Sequence, residues 1–402
     1  MSKQGAGMEA DELRVVFYSH DSQGLGHTRR NVALAHSLAQ HLPRLLGRPV
    51  TGLLLTGVGS ATAHEKPKGF DWVVLPGITK DGGAYGPRNL LVGMEHLTIL
   101  RSRLIESALL GFRPHLVVID RHAWGVDREL EIPLRRLRAE FPQTRIVLGL
   151  REVLDDPAVA VREWEKLGDL SAFRDVYDHV WVYGDCAVHD PLASGEIPAQ
   201  LEGMVQYTGY LAAGRPVGKR TSGVSRPYIV SMAGGGSDGA QLLTAAARAR
   251  VAHGYRHLVI TGPQMNPAQV QQIQDVATER TTVVEAVPDA LVEVLNADAV
   301  ISMGGYNSVT EILTTNTPAL IVPRETPRTE QLIRATALKN VEAVDLLRLD
   351  ELTPQAISAW IRQVVGTVKL RTHLDLSGLQ TVARMAAETL EPLERLQGAL
   401  FR

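Results

Sequence analysis

Short runs of β-branched and aliphatic residues alternate along this chain with longer stretches whose apolar positions recur at helical spacing. That alternation marks a parallel α/β sheet, in which each buried strand is followed by a helix that covers it. The first strand is expected over 13–19 (LRVVFYS), then a glycine-containing loop and a helix through 31–42. Further strands are expected over 51–56, 71–75, 115–120, 145–150 and 179–182. The stretch 211–226 (LAAGRPVGKRTSGVSR) has no hydrophobic period and is rich in Gly, Ser, Pro and basic residues, so it reads as a linker. A second series follows, with strands expected over 228–233, 257–261, 282–285, 299–303 and 319–322, each leading into a helical segment. From 370 onward the pattern is that of one or two amphipathic helices.

The expected organisation is therefore a disordered tail over 1–12, a Rossmann-like domain over 13–212, a linker over 213–226 and a second Rossmann-like domain over 227–385. A C-terminal helix over 386–402 packs back on the first domain. Two open parallel sheets joined in this way enclose a cleft at the carboxyl ends of their strands, which is where ligands bind in such sheets.

Composition narrows the field. With 402 residues, 45% of them hydrophobic, each half can bury its own core. A net charge of −2 argues against a protein held on nucleic acid, which needs a basic stripe. Cys186 is the single cysteine, so no disulfide forms within the chain, and no Cys/His group has metal-ligand spacing. No apolar run reaches the length of a membrane span, and the polar start lacks a signal-peptide core. A soluble cytoplasmic protein is the expectation.

Three loops after strands of the second half carry candidate chemistry. Over 231–240 (SMAGGGSDGA), three glycines precede Ser237, Asp238 and a helix start, so that backbone amides can approach an anion closely. Over 303–313 (MGGYNSVTEIL) the device is repeated, with Gly304 and Gly305 before Asn307 and Ser308. Glu311, a turn further on, suits a pair of ribose hydroxyls, since a carboxylate accepts two hydrogen bonds; it also suits the first turn of a helix for structural reasons alone. Over 321–335 (IVPRETPRTEQLIRA), Glu330 and Gln331 open a helix beside the cleft, as a sugar-reading pair or a solvated helix start.

Taken together, these loops resemble the donor-binding half of glycosyltransferase family 28, nearest to its bacterial members that add N-acetylglucosamine to the peptidoglycan lipid intermediate. The family's GGSxGA loop is matched by Gly235-Gly236-Ser237-Asp238-Gly239-Ala240, and its V-S/T-E helix by Val309-Thr310-Glu311. Its PAL-x-VP strand is matched by Pro318-Ala319-Leu320-Ile321-Val322-Pro323. Glu330-Gln331 stands where the family has a Gln pair, a departure that bears on the sugar. The resemblance implies a GT-B fold, with two Rossmann-like parallel-sheet domains facing a cleft. It implies that Glu311 holds ribose and that Gly235, Gly236, Ser237 and the turn Tyr306, Asn307, Ser308 hold a diphosphate. It further implies that Val287 lies by the base and that Glu330 and Gln331 read the sugar.

In the first half, the string Tyr18-Ser19-His20-Asp21-Ser22-Gln23-Gly24-Leu25-Gly26-His27-Thr28-Arg29-Arg30 looks superficially like a dinucleotide fingerprint. Arg29 replaces its third glycine, and the next strand ends in Thr56-Gly57 with no acid for a ribose, so NAD binding is not expected. Family 28 and related small-molecule glycosyltransferases carry a Gly-His pair here, matched by Gly26-His27. The string also looks like a branch of predicted bacterial glycosyltransferases with a YSHDxxGLGHxRR loop. In the plant small-molecule enzymes a His at this place is the base and an Asp after a later strand orients it; Asp120 looks like that Asp. Independently, a neutral imidazole backed by a carboxylate is the group best suited to deprotonate an acceptor hydroxyl near pH 7. His20 and Asp21 are the substitutes for His27.

Arg151, Glu152 and Asp155 leave another strand end and face the acceptor side, or form a plain exit turn. The cluster Arg135-Arg136-Leu137-Arg138 reads as a solvated face, or as a membrane contact where the acceptor is a lipid. The expected activity is inverting, metal-independent transfer of a sugar from a nucleotide-diphosphate donor, such as a UDP or dTDP sugar. The acceptor hydroxyl belongs to a natural-product aglycone, a lipid or a glycan. No cofactor is expected beyond the nucleotide sugar as co-substrate. The rivals are a nucleotide-sugar 2-epimerase of the same fold and a non-catalytic nucleotide-sugar-binding protein.

Overall fold

The computed structural model describes residues 12–20, 26–81, 84–214 and 217–400. Of the residues singled out above, Asp21 and Gly24 lie outside this set, as does the tail up to residue 11. The first half contains strands β1 (Leu13–Tyr18), β2 (Val50–Thr56), β3 (Phe70–Val74), β4 (Ile78–Asp81) and β5 (Ala84–Pro87). It continues with β6 (Leu116–Asp120), β7 (Arg145–Arg151), β8 (His179–Tyr183) and β9 (Val205–Tyr207). Its helices are α1 (Gly26–Leu46), α2 (Met94–Phe112), α3 (Glu131–Glu140), α4 (Pro157–Glu165) and α5 (Leu170–Arg174). Among the described residues seven strands form one sheet in the order β3-β2-β1-β6-β7-β8-β9, with every pairing parallel. The order reverses between β1 and β6, so their carboxyl ends open the crevice in which α1 begins.

The second half repeats the plan with β10 (Tyr228–Met232), β11 (Arg256–Ile260), β12 (Thr281–Val284), β13 (Ala299–Ser302), β14 (Ala319–Ile321) and β15 (Asp345–Leu346). These run in the order β12-β11-β10-β13-β14-β15, again all parallel. The helices are α6 (Ala240–Arg248), α7 (Pro267–Asp275), α8 (Ala290–Asn296), α9 (Tyr306–Leu313), α10 (Glu330–Asn340), α11 (Pro354–Val364) and α12 (Gly378–Leu400). The strands of the central pairs, such as Ile229 and Val230 in β10 and Val300 and Ile301 in β13, are inaccessible to solvent on both faces. This is why they read as unbroken apolar runs rather than alternating ones.

Three features differ from the sequence reading. The segment from Lys80 to Asn89 (KDGGAYGPRN), whose glycine-rich composition reads as a mobile acceptor-side loop, contributes to an antiparallel hairpin of β4 and β5, with Ile78 opposite Pro87 and Thr79 opposite Gly86. Ile78 is buried against Leu97 and Val126, an anchoring that local composition does not reveal. Helix α1 begins at Gly26 rather than at 31, so His27, Arg29 and Arg30 are helical residues. Helix α12 spans Gly378–Leu400 and lies against α1, where Ser37 Oγ donates to the Leu379 carbonyl at 2.5 Å. Leu34, Leu38 and Leu42 share one apolar cluster with Val382, Ala383 and Ala386. Among the described residues no helix is long and apolar enough to cross a membrane.

The two sheets are tied across the cleft. Arg334 on α10 pairs with Glu152 after β7 at 2.6 Å and reaches the Gly304 carbonyl at 3.2 Å. Arg328 bonds Asp155 at 3.1 Å and Glu163 at 2.9 Å, and the Thr329 amide donates to Asp155 at 3.0 Å. Glu152, expected on the acceptor side, is thus a fully buried partner in an inter-sheet ion pair. The basic cluster on α3 is likewise occupied: Arg135 pairs with Glu131, Arg136 with Glu106 and Arg138 with Asp178.

Candidate active site

A cavity of about 950 Å³ lies between the sheets, lined from the first by Gly26, His27, Arg29, Arg30 and Arg151. From the second it is lined by Gly235, Val287, Tyr306, Asn307, Ser308 and Glu311, among others. His27 stands in the first turn of α1 and Asp120 at the carboxyl end of the neighbouring β6. His27 Nδ1 is 2.8 Å from Asp120 Oδ2, and Arg30 Nη2 donates to both carboxylate oxygens at 2.6 and 2.7 Å. Arg30 sits one helical turn after His27, so a single helix presents both groups to one carboxylate.

Electrostatics fix the tautomer. Burial alone would raise the Asp120 carboxyl, but the Arg30 guanidinium and His27 hold it well below its ordinary range. An ionised carboxylate only accepts, so the contact at 2.8 Å requires the proton on His27 Nδ1. The approach of Arg30 to the same nitrogen at 3.1 Å is then proximity, not a hydrogen bond. Nε2 carries the lone pair and makes no hydrogen bond among the described residues. Burial pulls the imidazole below its ordinary range, Asp120 pulls it up, and Arg30 and Arg151 add to the lowering. The helix start acts in the same direction. His27 is therefore neutral at pH 7, with one fifth of its side chain exposed.

Behind His27 the rings of His20 and His122 lie 4.1 Å apart, and Tyr85 Oη is 3.4 Å from His20 Nε2. His20 is buried and does not line the cavity. Burial, then the neighbouring His20 and Arg121, push His122 well below the histidine range, so His122 is uncharged at neutral pH.

On the opposite wall the glycines do structural work. Gly236 has φ +96°, and a Cβ there would lie 2.2 Å from the Thr261 carbonyl; one on Gly262 would meet the Gly234 carbonyl at 2.6 Å. The two loops pack backbone on backbone, which leaves Gly234 and Gly235 exposed on the cavity wall. Neither α6 nor α9 has a side-chain cap at its N-terminus; Gly239 and Gly305 stand at the capping positions. The first-turn amides of α9, at Tyr306, Asn307 and Ser308, thus have no side-chain acceptor at the cap. Gly236 and Ser237 themselves do not line the cavity.

Glu311 is 4% exposed and accepts from Arg29 of the first domain at 2.6 Å, while Asn307 Nδ2 donates to the Gly26 carbonyl at 3.0 Å. Glu330 and Gln331 are gathered on Arg324: Glu330 binds its guanidinium and Gln331 Oε1 accepts from its amide at 3.0 Å. Neither lines the cavity. Arg29, Arg30, His122 and Arg324 had no assigned part in the sequence reading. Arg29 and Arg30 stood in plain view beside His27, but their partners lie 282 and 90 residues away.

Residues 229–370 match the glycosyltransferase family 28 C-terminal domain. An uncharacterized glycosyltransferase of Methanosarcina mazei is 24% identical over 385 residues, covering 91% of this chain and 92% of that protein. The spinosyn forosaminyltransferase SpnP superposes with a TM-score of 0.57 at 16% identity, over 98% of this chain and all of that one. MurG of Acinetobacter baumannii superposes with a TM-score of 0.51 at 14% identity, over 94% and 95%. The chain is a glycosyltransferase of the GT-B fold. Its donor-side half resembles glycosyltransferase family 28, and its substrates are accordingly a sugar donor and an acceptor.

Proposed function

We propose that the protein transfers a sugar from a nucleoside-diphosphate donor to an acceptor hydroxyl by direct displacement with inversion, His27 acting as base. The observation that carries this reading is the His27–Asp120–Arg30 arrangement facing the uncapped start of α9 and the glycines Gly234 and Gly235 across one cavity. The acceptor oxygen attacks the anomeric carbon and its proton passes to His27 Nε2. As that bond forms, the bond from the anomeric carbon to the diphosphate oxygen breaks, and the charge leaves on the nucleoside diphosphate. Asp120 stabilises the imidazolium so formed and keeps its orientation. Both Asp120 oxygens are engaged and the side chain is buried, which supports attack by the acceptor rather than by an enzyme carboxylate.

The amides of Tyr306, Asn307 and Ser308 and the loop at Gly235, Gly236 and Ser237 hold the diphosphate in this reading, and Val287 lies by the base. They supply the stabilisation of the leaving group that a cation would otherwise give. Glu311 holds the ribose once Arg29 has let go of it, and Glu330 and Gln331 read the sugar once Arg324 has. The acceptor is a natural-product aglycone, a lipid or a glycan. Exposed Leu90, Leu91 and Val92, just after the hairpin, offer an apolar approach to that side, including a peripheral contact with a membrane.

The test is thermal stabilisation by a panel of nucleoside diphosphates and their sugars. One nucleoside diphosphate should raise Tm selectively, and Glu311→Ala should abolish the shift. No shift with any of them would sink the donor assignment. A nucleotide sugar altered at C2 with no acceptor present would indicate epimerisation instead.

A further inference from the structure

Of seven described arginines at the facing ends of the two sheets, six have a carboxylate partner. Arg29 pairs with Glu311, Arg30 with Asp120, Arg121 with Glu163 and Arg334 with Glu152. Arg324 pairs with Asp238, and Arg328 with Asp155 and Glu163. The seventh, Arg151, ends β7 and lines the cavity, yet its guanidinium makes no hydrogen bond or ion pair among the described residues. Its Nε is buried without a partner. Arg30 and Arg324 also have an unpartnered Nε, but their terminal nitrogens are paired; at Arg151 the whole guanidinium is unsatisfied among the described residues, which costs more than the hydrogen bonds it would make.

Its surroundings add to the cost. Burial, then the charges of Arg334, Arg121 and Arg30, push Arg151 down to about 9, so at pH 7 it is a cation among cations. The opposing influence comes from Glu330, which gives one oxygen to Arg324 and does not reach Arg151. An incoming oxyanion in the cavity would give the guanidinium the partner it lacks and relieve this repulsion together.

We propose that Arg151 is the receptor for an acidic group, carboxylate or phosphate, carried by the acceptor close to the hydroxyl that is glycosylated. This rests on the transfer reading. The acceptor rather than the donor follows from position: Arg151 ends a strand of the first sheet, the sheet that carries Asp120 and the start of the His27 helix. The glycine loops and the uncapped α9 belong to the second. Arg151 and His27 line the same cavity, so an acidic group held by Arg151 shares that cavity with the base.

The experiment uses the full chain, Arg151→Gln and Arg151→Lys. In one arm the nucleoside diphosphate that stabilises the protein is titrated by calorimetry. In the other, phenyl phosphate and benzoate are titrated with that nucleotide saturating, so that the diphosphate site is filled. The expected result is nucleotide affinity within twofold in all three proteins, and binding of at least one of the two anions weakened tenfold or more in Arg151→Gln but kept in Arg151→Lys. Without ligand, Arg151→Gln should melt at a higher temperature than the parent, because an unpaired cation has been removed; an arginine serving the fold would give the opposite shift. Equal anion binding in all three proteins overturns the proposal. So does a tenfold loss of nucleotide affinity in Arg151→Gln, which would assign the group to the donor diphosphate. Should no nucleotide bind, the anion arm is run alone, so Arg151-dependent anion binding is read separately from a failed donor assignment.

Discussion

His27 is held in one protonation state by neighbours acting in opposite directions, and the pH dependence of turnover follows from that balance. Its pKa is lowered, so the active neutral form persists through pH 6.5 and the acid limb of kcat/KM lies below the ordinary histidine range. Asp120 opposes the lowering; in Asp120→Asn that upward pull is gone, and the limb should move to still lower pH. At the same time kcat should fall roughly 10²–10⁴-fold, because an amide neither fixes the tautomer nor stabilises the imidazolium. Hydrolysis of the donor, with water as acceptor, provides the assay before the acceptor is identified. A limb that stays in place in Asp120→Asn would mean that His27 is not the titrating base. Of this arrangement, His27 and Asp120 were legible through the resemblance, which implies a His after the first strand and an Asp at the end of a later one to orient it. Arg30 was not: a guanidinium one turn along an α-helix looks like any surface arginine until the fold brings Asp120 to it.

At the scale of elements, the expected strands were readable to within a residue or so at their ends, since the central ones are parallel and buried on both faces, whereas the short, half-buried edge strands β9 and β15 were not. The hairpin of β4 and β5 escaped because its sequence, KDGGAYGPRN, has loop composition and its anchor, Ile78, lies just outside it. The glycine loops were legible as devices, but their mutual packing was not. Gly236→Ala tests that packing. A Cβ against the Thr261 carbonyl at φ +96° must displace one loop from the other, at a cost of about 1–3 kcal/mol. The variant should melt lower and bind nucleoside diphosphate at least tenfold more weakly. Gly254→Ala, also at positive φ but with open space around it, should lower Tm without touching nucleotide affinity. Equal nucleotide binding in the two variants would show that the loop geometry does not serve the ligand.

Across the whole molecule, the residue assigned to ribose is already occupied by an arginine from the other domain. Arg29 is 35% exposed, so it can leave Glu311 for solvent when a competitor arrives. Arg29→Ala should therefore tighten nucleoside diphosphate binding, by roughly three- to tenfold if an exposed guanidinium on a buried carboxylate is worth about 1 kcal/mol. Weaker binding would mean that Arg29 contacts the nucleotide instead of competing with it. No spacing in the sequence could have shown this contact, because it depends on how the two sheets face each other. The same holds for α12, which follows the second sheet in the chain and yet covers α1 of the first. A ribosome making this protein releases the first sheet long before α12 exists. The face of α1 that carries Ser37 then waits without its partner helix while the entire second sheet is synthesised, and the first domain reaches its finished state only after its neighbour has been made.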